Sequence, residues 1–216
     1  PPPPPQTHTT SSAAYYVYKR QNKLYIYVLV LMIFMGVGAS WVIEKANASH
    51  EIPIIKKVPN FNFTNQNGET FSQNQLKNKI TVLDFFFTNC PGPCPIMTYN
   101  MKSLYNDFSK SDDVQFVSIT VDPENDNTIV LKNYAEINGI NDQRWHLLTS
   151  ELSAIKSLKR DGFMLFADEL PQGHAIKFIL IDDHGNIRKY FDGTDEASLS
   201  ILKKDISHLV KNLSLI

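Results

Sequence analysis

Leu24 to Ile43 (LYIYVLVLMIFMGVGASWVI) runs for 20 residues without a charge, and it divides the chain into parts that must fold in different solvents. At about 1.5 Å per residue, a helix of this length spans roughly 30 Å, the thickness of a bilayer's hydrocarbon core. Tyr25, Tyr27 and Trp41 sit near its ends, where amphipathic rings favour the membrane interface. The alternative, a buried helix of a soluble core, is usually shorter and polar on one face. The segment therefore reads as a single transmembrane anchor over residues 24–43. Residues 1–23, led by Pro1 to Pro5, read as a disordered tail on the cytoplasmic side. Residues 44–58 read as a linker, and residues 59–216 as one domain of ordinary size.

The flanks set the expected orientation. Lys19, Arg20 and Lys23 precede the apolar run, and Glu44 and Lys45 follow it. The positive-inside rule then puts the C-terminal domain on the outer side of the membrane, periplasmic or in an intermembrane space. Ala46-Asn47-Ala48 resembles a signal-peptidase site, so a cleaved signal peptide competes with an anchor. The apolar run is long for a signal sequence. Beyond residue 45, 17 Lys and Arg stand against 21 Asp and Glu, with no basic block. That balance argues against a nucleic-acid partner.

The domain's pattern is that of an α/β fold. Phe61 to Thr64 and Glu69 to Phe71 flank Asn67-Gly68, the signature of a hairpin, and Ser72 is placed to cap a short helical turn. Ile80 to Phe87 (ITVLDFFF) suits a central strand buried on both faces. Apolar residues from Ile96 to Phe108 recur at helical spacing, and Val114 to Val121 is the next strand, which makes a βαβ unit. A helix over 128–137, a short strand over 146–148 and a helix over 150–160 capped by Ser150 follow. A strand over 175–181, its hairpin partner over 187–191 and a last helix from about Asp195 to Leu213 complete the chain. The order predicts a thioredoxin-like domain with an N-terminal β-hairpin, preceded by one transmembrane helix.

Only two cysteines occur, in Thr88-Asn89-Cys90-Pro91-Gly92-Pro93-Cys94-Pro95, between the buried strand and the helix. Pro95 suits a first helical turn, which puts Cys94 at or beside the N-cap. There the helix dipole is expected to favour thiolate. Thiolates are nucleophiles of disulfide exchange and soft metal ligands. Three residues intervene instead of the two of the usual oxidoreductase motif, and the prolines stiffen the loop. A passive disulfide closing so short a loop would stabilise little, and zinc ribbons need paired motifs that are absent here. Met97 and Met101 follow at helical spacing; thioethers bind Cu(I), but packing of the helix on the sheet is the simpler role. Asp122 can orient the site or cap the following loop.

At these residues the chain resembles the Sco/SenC family, the copper-handling proteins of cytochrome c oxidase assembly. The strand, the Thr-x-Cys-Pro-x-x-Cys-Pro loop and the helix match, as does Ser118-Ile119-Thr120-Val121-Asp122-Pro123 after the second strand. The family's third ligand is a histidine opening a late hydrophobic strand, and His174-Ala175-Ile176-Lys177-Phe178-Ile179-Leu180-Ile181-Asp182 matches that pattern. The resemblance covers about residues 55–213 and implies copper, Cu(I) or Cu(II), on Cys90, Cys94 and His174. It further implies delivery to a copper-receiving subunit of cytochrome c oxidase or another exported copper protein, without catalytic turnover. Gly92 and Gly173 stand where many relatives carry acidic residues. On chemistry alone His174 is one of six histidines; His184 reads as a turn residue, His146 and His208 as ordinary surface or partly buried positions. The other reading is a thiol–disulfide oxidoreductase, with Cys90 and Cys94 as a catalytic redox pair that keeps a partner's copper-site cysteines reduced. A thiol peroxidase and an inert interaction domain are weaker alternatives.

Overall fold

The computed structural model describes residues 1, 12–48, 51–168, 170–171 and 175–213. The chain forms two units, Pro1–Glu51 and Ile52–Ile216. In the first, helix α1 runs from Ser12 to Ala48. Its Tyr25–Ile43 stretch is long and apolar enough to cross a bilayer. The side chains there lie open to their surroundings: Phe34 is 76% exposed and Tyr27 70%. The tail expected to be disordered is helical from Ser12 onward, and residues 2–11 lie outside the described residues.

The second unit is built on one eight-stranded sheet. Its strands are β1 (Lys56–Lys57), β2 (Asn62–Asn65), β3 (Thr70–Ser72), β4 (Ile80–Phe86), β5 (Val114–Thr120), β6 (Trp145–Thr149), β7 (Lys177–Ile181) and β8 (Asn186–Asp192), in the order β1-β8-β7-β4-β5-β6-β2-β3. β4, β5 and β6 are parallel, while β7 runs antiparallel to β4 and β2 antiparallel to β6. Helices α2 (Cys94–Asp107), α3 (Thr128–Ile137), α4 (Leu152–Ser157) and α5 (Glu196–Leu213) complete it.

Every residue of β4 and β5 is buried, as suits two mostly apolar central strands covered on both faces, with Thr81, Asp84, Gln115, Ser118 and Thr120 buried among them. Burying a side chain such as Leu83 contributes about 2 kcal/mol. Alternation sends β4 residues to two different faces. Phe86 packs on Tyr134 of α3, whereas Phe85 meets Phe163 edge-on and lies 5.8 Å from the buried Lys159 Nζ. Burial lowers the Lys159 amine to about 8.

Three boundaries differ from the sequence expectation. The domain begins before Pro59: Ile52 and Val58 are 5% exposed, and β1 pairs with β8, so residues 52–58 of the expected linker belong to the domain. Ser150 does not cap α4, whose N-cap is Glu151, and the helix widens into a π-turn over Leu158–Gly162. The hairpin with Gly68 at φ 80° and the Ser72 capping box are as expected.

Candidate metal centre

The cysteine loop leaves the end of β4, the middle strand of the domain, and enters α2. Pro93 is the N-cap, Cys94 is the first helical residue and Pro95 follows where its missing N–H costs nothing. Cys90 and Cys94 are both buried and not bridged, at 9% and 2% exposure. The two thiols lie close enough to act on each other. A Cβ at Gly92 would stand 3.8 Å from Cys90 Sγ, in ordinary contact, so the glycine leaves that side of the sulfur uncovered.

The thiolate expectation fails for Cys94. Burial pushes its thiol well above the ordinary range, and Cys90 and the carboxylate of Asp84 add to the rise; a backbone hydrogen bond at Phe87 opposes it only in part. Desolvation outweighs the helix dipole here. A soft cation between the sulfurs would reverse that balance, since a metal deprotonates the thiols it binds.

Asp84 is the first residue the sequence reading missed. It stands in the middle of β4 beneath the cysteines, 2% exposed, and its Oδ1 has no hydrogen-bond partner. Burial raises its carboxyl from 3.8 to about 7, against a hydrogen bond from Ser118 that lowers it. Tyr134 covers the same pocket: its hydroxyl lies 2.8 Å from Thr98 Oγ1, and burial raises it to about 12. The signal in the sequence was an acid inside an otherwise apolar run.

Asp126 is the second. It is 1% exposed and accepts hydrogen bonds from Thr88 N at 3.0 Å, from the Thr88 hydroxyl, and from Thr120 Oγ1 at 2.5 Å. Asp122, by contrast, serves its own loop. Its backbone oxygen accepts from Asn125 N and Asp126 N, and its carboxylate from Asn125 Nδ2. Met97 and Met101 are fully buried core residues.

His174 lies outside the described residues. The chain just beyond it is well placed. Ile176 O accepts from Gly193 N at 3.3 Å, Gly193 O accepts from Asn100 Nδ2 of α2 at 2.8 Å, and a Cβ at Gly193 would stand 3.0 Å from Met97 Cε. His146 and His184 serve elsewhere. The His146 ring centroid is 4.6 Å from that of Phe71, and burial lowers its pKa. His184 sits in the β7–β8 turn beside Asp183, where Asp182 is occupied by His184 N, Asn186 and Arg188. Asp182 thereby closes the turn.

Residues 52–211 match the SCO1/SenC family. The chain belongs to the SCO1/SenC family. The SCO1 protein homolog of Bacillus subtilis is 30% identical, over 71% of this chain and 83% of its own. The crystal structure of a SCO1/SenC family lipoprotein from Bacillus anthracis superposes with a TM-score of 0.67 at 35% identity, covering 72% of this chain and 95% of that one. The ScoI of Bradyrhizobium japonicum, solved with copper bound, gives 0.58 at 25% identity, covering 68% and 98%. The thioredoxin-like fold of the SCO1/SenC proteins is thus the fold of residues 52–211.

Proposed function

We propose that this SCO1/SenC protein binds copper through Cys90, Cys94 and His174 and hands it on during cytochrome c oxidase assembly. Sco proteins are cytochrome c oxidase assembly proteins, and copper is bound in a solved relative. The observation that carries the reading is the cysteine pair: two buried, unbridged thiols, close enough to interact, held between a strand and a helix start. Two sulfurs and an imidazole suit Cu(I), a soft ion that accepts low coordination. His174 is supported by reach. Two extended residues cover at most about 7 Å, and Ile176 is bonded to the Gly193 that packs on α2.

The copper is cargo, and its recipient is an exported copper protein such as the copper-receiving oxidase subunit. The helix over Tyr25–Ile43 anchors the domain, which then faces the outer side of the membrane.

Anaerobic Cu(I) titration of the full chain in detergent micelles tests the reading. One copper per chain is expected, with loss of binding in Cys90→Ser and Cys94→Ser and a weaker complex in His174→Ala. Unchanged affinity in His174→Ala would remove the third ligand. No uptake by the wild type would move the weight to thiol–disulfide exchange, which the unequal burial of Cys90 and Cys94 suits.

A further inference from the structure

Within the cysteine loop, Cys90 N–H donates to Phe87 O at 3.4 Å. What fixes the loop comes from a different part of the chain, 38 residues on. Asp126 reaches across from the turn between β5 and α3 and takes both the N–H and the hydroxyl of Thr88, two residues before Cys90. The same carboxylate takes the hydroxyl of Thr120 at the end of β5. Asp126 is itself held, since its N–H donates to Asp122 O at 2.9 Å and Val121 N donates to Phe86 O at 2.8 Å. The last residue of β5 and the second residue beyond β4 therefore converge on one buried carboxylate.

We propose that Asp126 is the positioning residue of the cysteine pair. It touches neither sulfur. By pinning Thr88 to the end of β5 it fixes where the loop leaves the sheet, and with that the separation and facing of Cys90 and Cys94. An acid suits the task because a carboxylate only accepts, and all three groups aimed at it are donors. Hydrogen bonds to an ionised acceptor are also the stronger kind. The turn holding Asp126 is rigid for a separate reason: the side chain of the next residue, Asn127, caps α3 by accepting from Ile129 N and Val130 N.

In its copper form the proposal rests on the function proposed above, and the test separates the two. Full-length protein in micelles is compared with Asp126→Ala, Asp126→Asn and Asn127→Ala. The first readout is Cu(I) affinity, by anaerobic competition with a chromophoric chelator. The second needs no metal. It is the equilibrium in which the two protein thiols are oxidised to the Cys90–Cys94 disulfide by one oxidised glutathione, which leaves as two reduced glutathiones.

Asp126→Ala is expected to weaken Cu(I) binding about tenfold, the scale on which groups behind metal ligands act. It should also shift the glutathione equilibrium at least about threefold toward the dithiol, because the sulfurs are no longer held together. Asp126→Asn keeps an acceptor for Thr88 N and should recover most of both. Asn127→Ala should lower the melting temperature while leaving both readouts at wild-type values. A folded Asp126→Ala protein with both readouts within about twofold of wild type would overturn the proposal. So would Asn127→Ala effects as large as those of Asp126→Ala, because destabilisation alone would then account for them. If Asp126→Ala does not fold, Thr88→Val removes the hydroxyl bond alone and is judged on the same readouts. If the wild type takes up no copper, the proposed function fails, and the glutathione equilibrium alone decides whether the clamp stands.

Discussion

Asp84 and Asp126 both lie near the cysteine loop, both sealed from water, and they are wired in opposite ways. Asp126, at the rim, is met by three donors. Asp84, in the floor, has an oxygen with no partner, and its carboxyl titrates near 7. A buried carboxylate met by donors on every side acts as a strut. One in an apolar strand is cheaper to keep protonated. The site thus has a rim that sets geometry and a floor whose charge depends on pH.

The largest expected effect concerns the floor. Below its ordinary value of 3.8 Asp84 is protonated in the folded and unfolded chain alike and costs nothing. As pH rises toward 7, the unfolded chain releases this proton and the folded one keeps it, so stability falls through that window and levels off above it. The loss from this group is up to about 4 kcal/mol. Asp84→Asn should abolish that slope, as read by denaturant unfolding of the domain between pH 4 and 8. An equal slope in both proteins would break the contrast with Asp126.

A smaller loss is expected at the rim. Asp126→Ala strips the acceptor from Thr88 N and from the Thr88 and Thr120 hydroxyls and should cost about 3 kcal/mol at pH 7 in the same assay. A cost under 1 kcal/mol would mean that water replaces the carboxylate and that the rim is not built on it. The smallest effect belongs to Tyr134→Phe, about 1 kcal/mol for the lost bond to Thr98. This variant should keep the wild-type pH slope. Loss of the slope would assign the titration to Tyr134's surroundings rather than to the burial of Asp84.

The elements were legible where local pattern and tertiary context agree. Ile80 to Phe86, Thr128 to Ile137 and the Asn67-Gly68 hairpin follow from periodicity and turn chemistry. Cys90 and Cys94 stood out because a strand, a proline-rich loop and a helix start come in sequence. Asp84 and Asp126 did not. An acid in a strand and an acid in a loop look ordinary until folding buries them, and burial is set by residues far along the chain. The charge state of Cys94 was misjudged for the same reason: the helix start is visible in sequence, the desolvation is not. Residues 52–58 looked like a linker because the partner of β1 is β8, some 130 residues away.

Gly193 carries one more consequence. It is bonded to Ile176 on one side and Asn100 on the other, and it packs flat against Met97. The strand that begins just past His174 and the helix that begins at Cys94 are therefore spaced by a residue with no side chain. Anyone regrafting this loop onto another scaffold inherits a size limit at Gly193: a methyl group there would press on Met97 and push the segment at Ile176 away from α2.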